Sequence, residues 1–161
     1  MNKRTVTKVG DIFEVVIEEG YKKYIQLVAI DSHQLNSDVI CVFETKYRFD
    51  EKPSIDLITS DRMDFYTHTT VSAGVKWLDW VKIGRSDELG RLDNLIFKHT
   101  DDYGHGVEQS NFWRVWGVSG KIYRIGNLTD QYRKTEYGLI FSPESVVERM
   151  RTGEVDPYYP G

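Results

Sequence analysis

The chain has 161 residues, a hydrophobic fraction of 40% and a charged fraction of 29%, a composition that excludes a disordered tail, a collagen-like fibre and a membrane protein. A chain of roughly 100–200 residues favours one hydrophobic core, so we expect residues 1–161 to form a single domain. The net charge is −4 and no basic run exceeds two residues, which disfavours nucleic acid as a partner because a phosphate backbone requires clustered Lys and Arg.

Cysteine content and apolar runs indicate the compartment. Cys41 is the only cysteine, so no internal disulfide can form, which is typical of a reducing environment. Residues 1–15 contain no apolar stretch of signal-peptide length. No apolar run approaches the roughly 20 residues that span a bilayer. We therefore expect a cytoplasmic protein with no membrane partner.

The first third of the chain is predicted to form an antiparallel meander. Residues 12–17 form two opposed, largely apolar faces of a strand, and residues 22–31 suit a second strand after a turn at Gly20. Residues 39–47 are rich in β-branched and aromatic side chains, which favours a third strand. Three such strands are typical of a small barrel or a strongly curled sheet.

The middle of the chain is predicted to add strands. Leu57–Ile58 and residues 63–71 suit one or two of them, and residues 75–83 suit another that ends at Gly84. The charged segment 85–94 is compatible with a loop and with a short helix.

The clearest hairpin lies near the end of the chain. Residues 111–118 and 121–126 are strand-like, and Ser119–Gly120 supplies a two-residue link. The polar segment 99–106 before them is predicted to be an exposed loop, and residues 137–141 to be a last strand.

The final segment changes period from strand to helix. Ser142 is a suitable N-cap, Pro143 suits the first helical position and Gly153 suits the stop. The predicted fold class is therefore mostly β with a minor α component: a strongly curled antiparallel sheet or small barrel with a short C-terminal helix.

One loop carries the best metal-ligand candidates, His99, Asp101, Asp102 and His105. Imidazoles and carboxylates can hold zinc or manganese. However, no regular element fixes their spacing, and the loop contains Gly104 and Gly106. We favour a polar loop tip that contacts a partner over a metal site.

No nucleophile or acid–base pair is evident. Cys41 lies between Ile40 and Val42, which predicts a buried, inert thiol. Ser119 in GVSGK has the spacing of neither a nucleophile elbow nor a phosphate loop, so it is interpreted as a turn residue. We expect no catalytic residue, no cofactor and no enzymatic activity.

Two tryptophan pairs, Trp77/Trp80 and Trp113/Trp116, share a spacing of three. On a strand this spacing places the members of a pair on opposite faces. We expect one of each pair in the core and the other available to a partner. Tyr158–Tyr159 lie outside every predicted strand and are further candidates for contact.

Three segments resemble a known family. KVGDIFEVVIEEGYKKYIQLVAID (8–31) resembles the entry hairpin of the bacterial immunity protein 26 family, VKWLDWVKIG (75–84) its central tryptophan strand, and EYGLIFSPESVVERM (136–150) its closing strand and helix. The resemblance implies a mostly β fold and a role in polymorphic toxin systems, and it implies no catalytic residues. Residues 9–12 with the following glycine turn also resemble SH3-like barrels of the toxin endoribonuclease type.

These observations lead to one functional hypothesis and one alternative. The hypothesis is an immunity protein that binds and occludes a cognate bacterial toxin, with a nuclease as the candidate toxin class, through acidic and aromatic side chains. The alternative is an SH3-barrel-like ribonuclease or a metal-dependent hydrolase that uses the 99–105 loop. The predicted partner-binding residues are Trp77, Trp80, Asp101, Asp102, Tyr103, His105, Glu108, Trp113 and Trp116.

Overall fold

The computed structural model describes residues 5–118, 120–155 and 159–160. The strands within these ranges are β1 (Asp11–Glu18), β2 (Tyr21–Asp31), β3 (Ser37–Phe43), β4 (Tyr47–Arg48), β5 (Met63–Thr69), β6 (Val81–Arg85), β7 (Ile96–His99), β8 (Trp113–Gly117), β9 (Tyr123–Gly126), β10 (Glu136–Tyr137) and β11 (Ile140–Phe141). The helices are α1 (Ile55–Thr59), α2 (Val71–Trp77), α3 (Asp130–Arg133), α4 (Pro143–Thr152) and a 3₁₀ turn at Leu92–Asn94. The protein is therefore mostly β, as predicted.

The larger sheet contains the predicted meander. Its strand order is β11-β5-β3-β2-β1-β6, with β4 paired to β2. Neighbouring strands are antiparallel, except that β11 runs parallel to β5. The β1–β2 turn contains Gly20 at φ +79°, a conformation that glycine adopts without steric cost.

Both faces of the larger sheet are covered, which explains why β2 is buried along nearly its whole length. On one face, Phe13 and Ile25 pack with Val71 of α2 and Val146 of α4. On the other face, a second core forms, which includes Ile12, Tyr24, Val28, Ile58, Leu95, Phe97 and Trp116. The molecule thus consists of a helical layer, a central sheet and a second sheet.

The larger sheet is open, and the prediction of a barrel or strongly curled sheet is not supported. Strands β11 and β6 form its two ends and do not pair with each other in the described part of the chain. Two layers cover the sheet, so its apolar faces are buried without closure.

The smaller sheet has the order β10-β7-β8-β9. Strands β8 and β9 form the predicted hairpin, although Ser119, the predicted turn residue, lies outside the described residues. The predicted strand 137–141 divides between the two sheets, with β10 in the smaller and β11 in the larger. Gly138 lies between them against the indole of Trp116, where a Cβ atom would come within 2.0 Å of Cη2.

Two predicted strand segments are helical instead. Leu57–Ile58 belong to α1, whose first turn is capped by the Ser54 side chain accepting from the Leu57 amide. Val75 and Trp77 belong to α2, so only residues 81–85 of the predicted strand are extended. Short helices of this kind are stabilised by packing of a few apolar residues rather than by a long periodic pattern.

The C-terminal helix begins and ends as predicted. The Ser142 side chain accepts from the Ser145 amide, Pro143 is the first helical residue, and Gly153 adopts φ +77° after the last turn. Of segment 85–94, Arg85 ends β6 and the remainder is a loop that closes with the 3₁₀ turn. None of the helices in the described ranges is both long enough and apolar enough to cross a bilayer.

Candidate partner-binding surface

Residues 100–112, which we name the Tyr103 loop, connect β7 to β8 and are anchored at their base. The buried Thr100 and Ser110 hydroxyl oxygens lie 2.6 Å apart. Ser110 Oγ donates to the Asp102 carboxylate over 2.9 Å and accepts from the Phe112 amide over 3.1 Å. Because the Ser110 hydrogen is used on Asp102, Thr100 donates to Ser110. The base of the loop is therefore fixed by side-chain hydrogen bonds.

The anchored loop presents aromatic and acidic side chains to solvent. Tyr103 is 52% exposed and Phe112 is 72% exposed. Asp101, His105 and Glu108 are also exposed. Of the partner-binding residues predicted in this loop, four are therefore on the surface, whereas Asp102 is half-buried and serves as an anchor.

A slot for one aromatic ring lies beside the loop, and Tyr159 fills it. The Tyr159 ring stacks on Tyr137 at a centroid distance of 4.2 Å and on Tyr103 at 5.3 Å, with interplanar angles of 22° and 23°. The Trp113 ring lies 6.2 Å away. The Tyr159 hydroxyl is 2.9 Å from His99 Nδ1. We name this set of rings the Tyr159 slot; Tyr158 lies outside the described residues.

His99 is held in one orientation by charged neighbours. Its Nε2 lies 3.1 Å from Asp101 Oδ1, to which Arg114 also donates over 2.9 Å. Burial lowers the pKa of His99, and the hydrogen bond to Asp101 opposes that shift. Hydrogen bonds from His99 and Arg114 lower the pKa of Asp101. A neutral His99 that donates from Nε2 must accept at Nδ1, so the Tyr159 hydroxyl is the donor.

Three of the four tryptophans are interior residues. Trp80 is 2%, Trp113 is 0% and Trp116 is 3% exposed, whereas Trp77 is 65% exposed. The prediction that one member of each pair is available to a partner is wrong for Trp113/Trp116. These two side chains do occupy opposite faces of β8, but the larger sheet covers one face and the Tyr159 ring packs near Trp113 on the other. Trp80, Trp113 and Trp116 therefore present no ring to a partner in this conformation.

Trp77 and Trp80 are separated by a turn rather than by a strand. Asp79 adopts φ +55°, which redirects the chain so that Trp80 packs beneath Gly74 of α2. Trp77 remains exposed at the end of α2, in the layer on the far side of the central sheet from the Tyr103 loop. The two exposed features predicted to act together thus lie on different sides of the molecule.

A buried polar network joins the two sheets. Asp31 Oδ2 lies 2.8 Å from His68 Nε2 and accepts from Trp116 Nε1 over 3.0 Å. Asp31 and His68 are fully buried, and burial lowers the pKa of His68 despite the bond to Asp31. Sequence spacing did not reveal this pair because 37 residues separate its members. Its burial indicates a structural tie rather than a site for a substrate.

The residues weighed as metal ligands do not converge. Asp101 is directed to His99 and Arg114, whereas Asp102 accepts from Ser110. Within the described ranges, no three His, Cys, Asp or Glu side chains are grouped as a metal site would require.

Sequence reasoning also missed exposed aromatic residues near the loop. Phe112 lies just before β8 and Tyr123 begins β9, and both side chains are exposed. Phe112 lies next to the buried Trp113, so alternation along the chain was the available signal that it faces outward.

Comparisons of the chain with protein-family models, curated proteins and solved structures found no match. The family resemblance consequently depends on the three segments quoted above, and the assignment of a site depends on the geometry of the Tyr103 loop.

Proposed function

We propose that the protein is an immunity protein that binds and occludes a cognate bacterial toxin, with the Tyr103 loop as its contact surface. The observation that carries this proposal is an anchored loop that exposes Tyr103 and Phe112 among the acidic side chains of Asp101 and Glu108. The three segments that resemble the immunity protein 26 family support the same function.

The loop has the physical properties of a binding surface. Aromatic rings supply much of the affinity at protein interfaces, and a loop that is already hydrogen-bonded at its base loses less entropy on binding. Carboxylates at the rim accelerate encounter with a basic partner. A nuclease toxin, whose substrate is a polyanion, would present such a basic face.

We place the protein in the cytoplasm. Cys41 is the only cysteine, and burial raises its thiol pKa to about 12, so that it stays a protonated, inert side chain. The acidic net charge favours a protein partner over nucleic acid.

A ribonuclease is the second candidate. The observation that favours it is the cluster of His99, Asp101 and Arg114, which combines a potential base with a cation. Incubation of the purified protein with RNA, with and without manganese or zinc, tests it. Cleavage that is lost in His99→Gln would support this function, and intact RNA would exclude it.

The test of the leading proposal is co-expression with the product of the adjacent gene in a cell that this product kills. The wild-type protein should restore growth, and the double variant Tyr103→Ala/Phe112→Ala should not. Trp77→Ala is the matched control, because it removes an exposed aromatic ring from the opposite layer and should leave protection intact. Death of the cells in the presence of the wild-type protein would refute the function, whereas protection by the double variant would refute the surface.

A further inference from the structure

We propose that the Tyr159 slot is a binding site for the tyrosine side chain of a protein partner, and that Tyr159 occupies it as an internal substitute in the free protein. This inference rests on the proposed function and deepens it, because it names the chemistry that the Tyr103 surface recognises. Tyr159 shows which chemistry fits the slot, because its phenol ring stacks on two other rings there and its hydroxyl group contacts His99.

The slot selects a flat ring. Tyr137 and Tyr103 both stack on the Tyr159 ring, with nearly equal small interplanar angles. Offset stacking on two aromatic rings stabilises a planar group more than a branched aliphatic side chain of similar volume. Trp113 completes the wall.

The slot also selects a hydroxyl group. His99 Nδ1 accepts a hydrogen bond from the ring hydroxyl over 2.9 Å. Its acceptor role is fixed because the ring hydrogen is on Nε2, which donates to Asp101. Arg114 in turn positions Asp101. A phenylalanine ring would leave the half-buried Nδ1 acceptor without this donor, so we expect tyrosine to bind more tightly than phenylalanine.

The slot is continuous with the proposed contact surface. The Tyr103 ring stacks on Tyr159 and so forms one wall of the slot. About half of the Tyr103 residue surface is nevertheless exposed to solvent. Asp101 both orients His99 and belongs to the exposed acidic rim. A partner that contacts the Tyr103 loop thus lies next to the slot, where its tyrosine would compete with the tethered Tyr159.

The experiment uses the full chain and the probe N-acetyltyrosinamide. In Tyr159→Ala, the backbone resonances of Trp113 and Tyr103 and the indole resonance of Trp113 should shift saturably as the probe is added. N-acetylphenylalaninamide should bind roughly three- to tenfold more weakly, the effect of one net hydrogen bond. The matched control is Tyr159→Phe, which keeps the slot filled and should bind either probe at least about tenfold more weakly than Tyr159→Ala because of its tethered ring.

If Tyr159→Ala lacks a dispersed spectrum, Tyr159→Leu provides a folded variant without a stacked ring. Absence of a saturable shift in a folded variant would overturn the proposal, as would equal affinity for the two amides. Because no toxin is present in this assay, its failure is distinct from a failure of the growth-protection test.

Discussion

Trp116 donates its indole hydrogen to the carboxylate of Asp31 over 3.0 Å, and this hydrogen bond connects β8 of the smaller sheet to β2 of the larger one. His68 from β5 lies 2.8 Å from the same oxygen. One carboxylate thus fixes three strands at the centre of the molecule. Hydrogen bonds to a charged group in a buried setting are among the stronger ones in proteins.

Asp31→Ala should lower the free energy of unfolding by roughly 2–5 kcal/mol, because it leaves the buried donors of His68 and Trp116 without a partner. Urea denaturation followed by tryptophan fluorescence measures the change. The matched control is Asp87→Ala, whose side chain is fully exposed and whose loss should leave stability unchanged. Equal stability of the two variants would show that the network does not hold the sheets together.

Stability should fall as the pH decreases below about 6.5. Burial lowers the folded-state pKa of His68 and of His99 below the ordinary value of 6.5, so the unfolded chain takes up protons in a pH range where the folded chain does not. Stability is therefore complete above pH 6.5 and decreases toward the folded-state pKa, by at most about 1.4 kcal/mol per pH unit for each histidine.

The measurement is urea denaturation between pH 7.5 and pH 5. His68→Gln should reduce the slope of stability against pH, whereas His33→Gln, the same change at an exposed histidine, should retain the wild-type slope. A slope that is unaffected by His68→Gln would contradict the assignment.

Gly138→Ala should destabilise the protein by about 1–3 kcal/mol, because its Cβ atom would lie 2.0 Å from the Trp116 ring. Gly117→Ala is the control, since its Cβ atom would meet nothing closer than Ile96 Cδ1 at 3.8 Å. Thermal unfolding of the two variants provides the comparison. A loss in Gly117→Ala as large as that in Gly138→Ala would argue against close packing at Trp116.

Ser110→Ala should loosen the Tyr103 loop, since three hydrogen bonds at its base involve the Ser110 hydroxyl. We expect a loss of about 1–3 kcal/mol in stability and faster protease cleavage within residues 103–108. Ser60→Ala removes an exposed hydroxyl that donates to the Leu57 carbonyl and should leave cleavage of the loop unchanged. Unchanged cleavage in Ser110→Ala would indicate that other contacts order the loop.

Local patterns predicted the elements whose signals are local. Apolar runs on either side of the Gly20 turn identified β1 and β2, and the residues Ser142, Pro143 and Gly153 identified both ends of α4. Strand periodicity failed at Val75 and Trp77, because a seven-residue helix is too short to show a helical period. Gly138 gave no sign that the chain leaves one sheet there and joins the other.

The candidate site was predictable in part. The composition of residues 99–106 indicated an exposed polar loop, and four of the contact residues predicted in and next to it are on the surface. The burial of Trp113 and the pairing of Asp31 with His68 depend on residues distant in sequence, such as Tyr159. Such contacts follow from tertiary packing, which a single sequence does not encode in any local spacing.

The two edge strands of the larger sheet, β11 and β6, have features that oppose pairing with another molecule. Edge strands expose backbone groups that can pair with another molecule and start aggregation. β11 is only two residues long, and β6 places Lys82 and Arg85 beside its apolar Val81 and Ile83. An irregularity in the β1–β6 register further disturbs the edge. Replacing both cations with valine would therefore leave an apolar edge strand that favours pairing with a strand of another molecule.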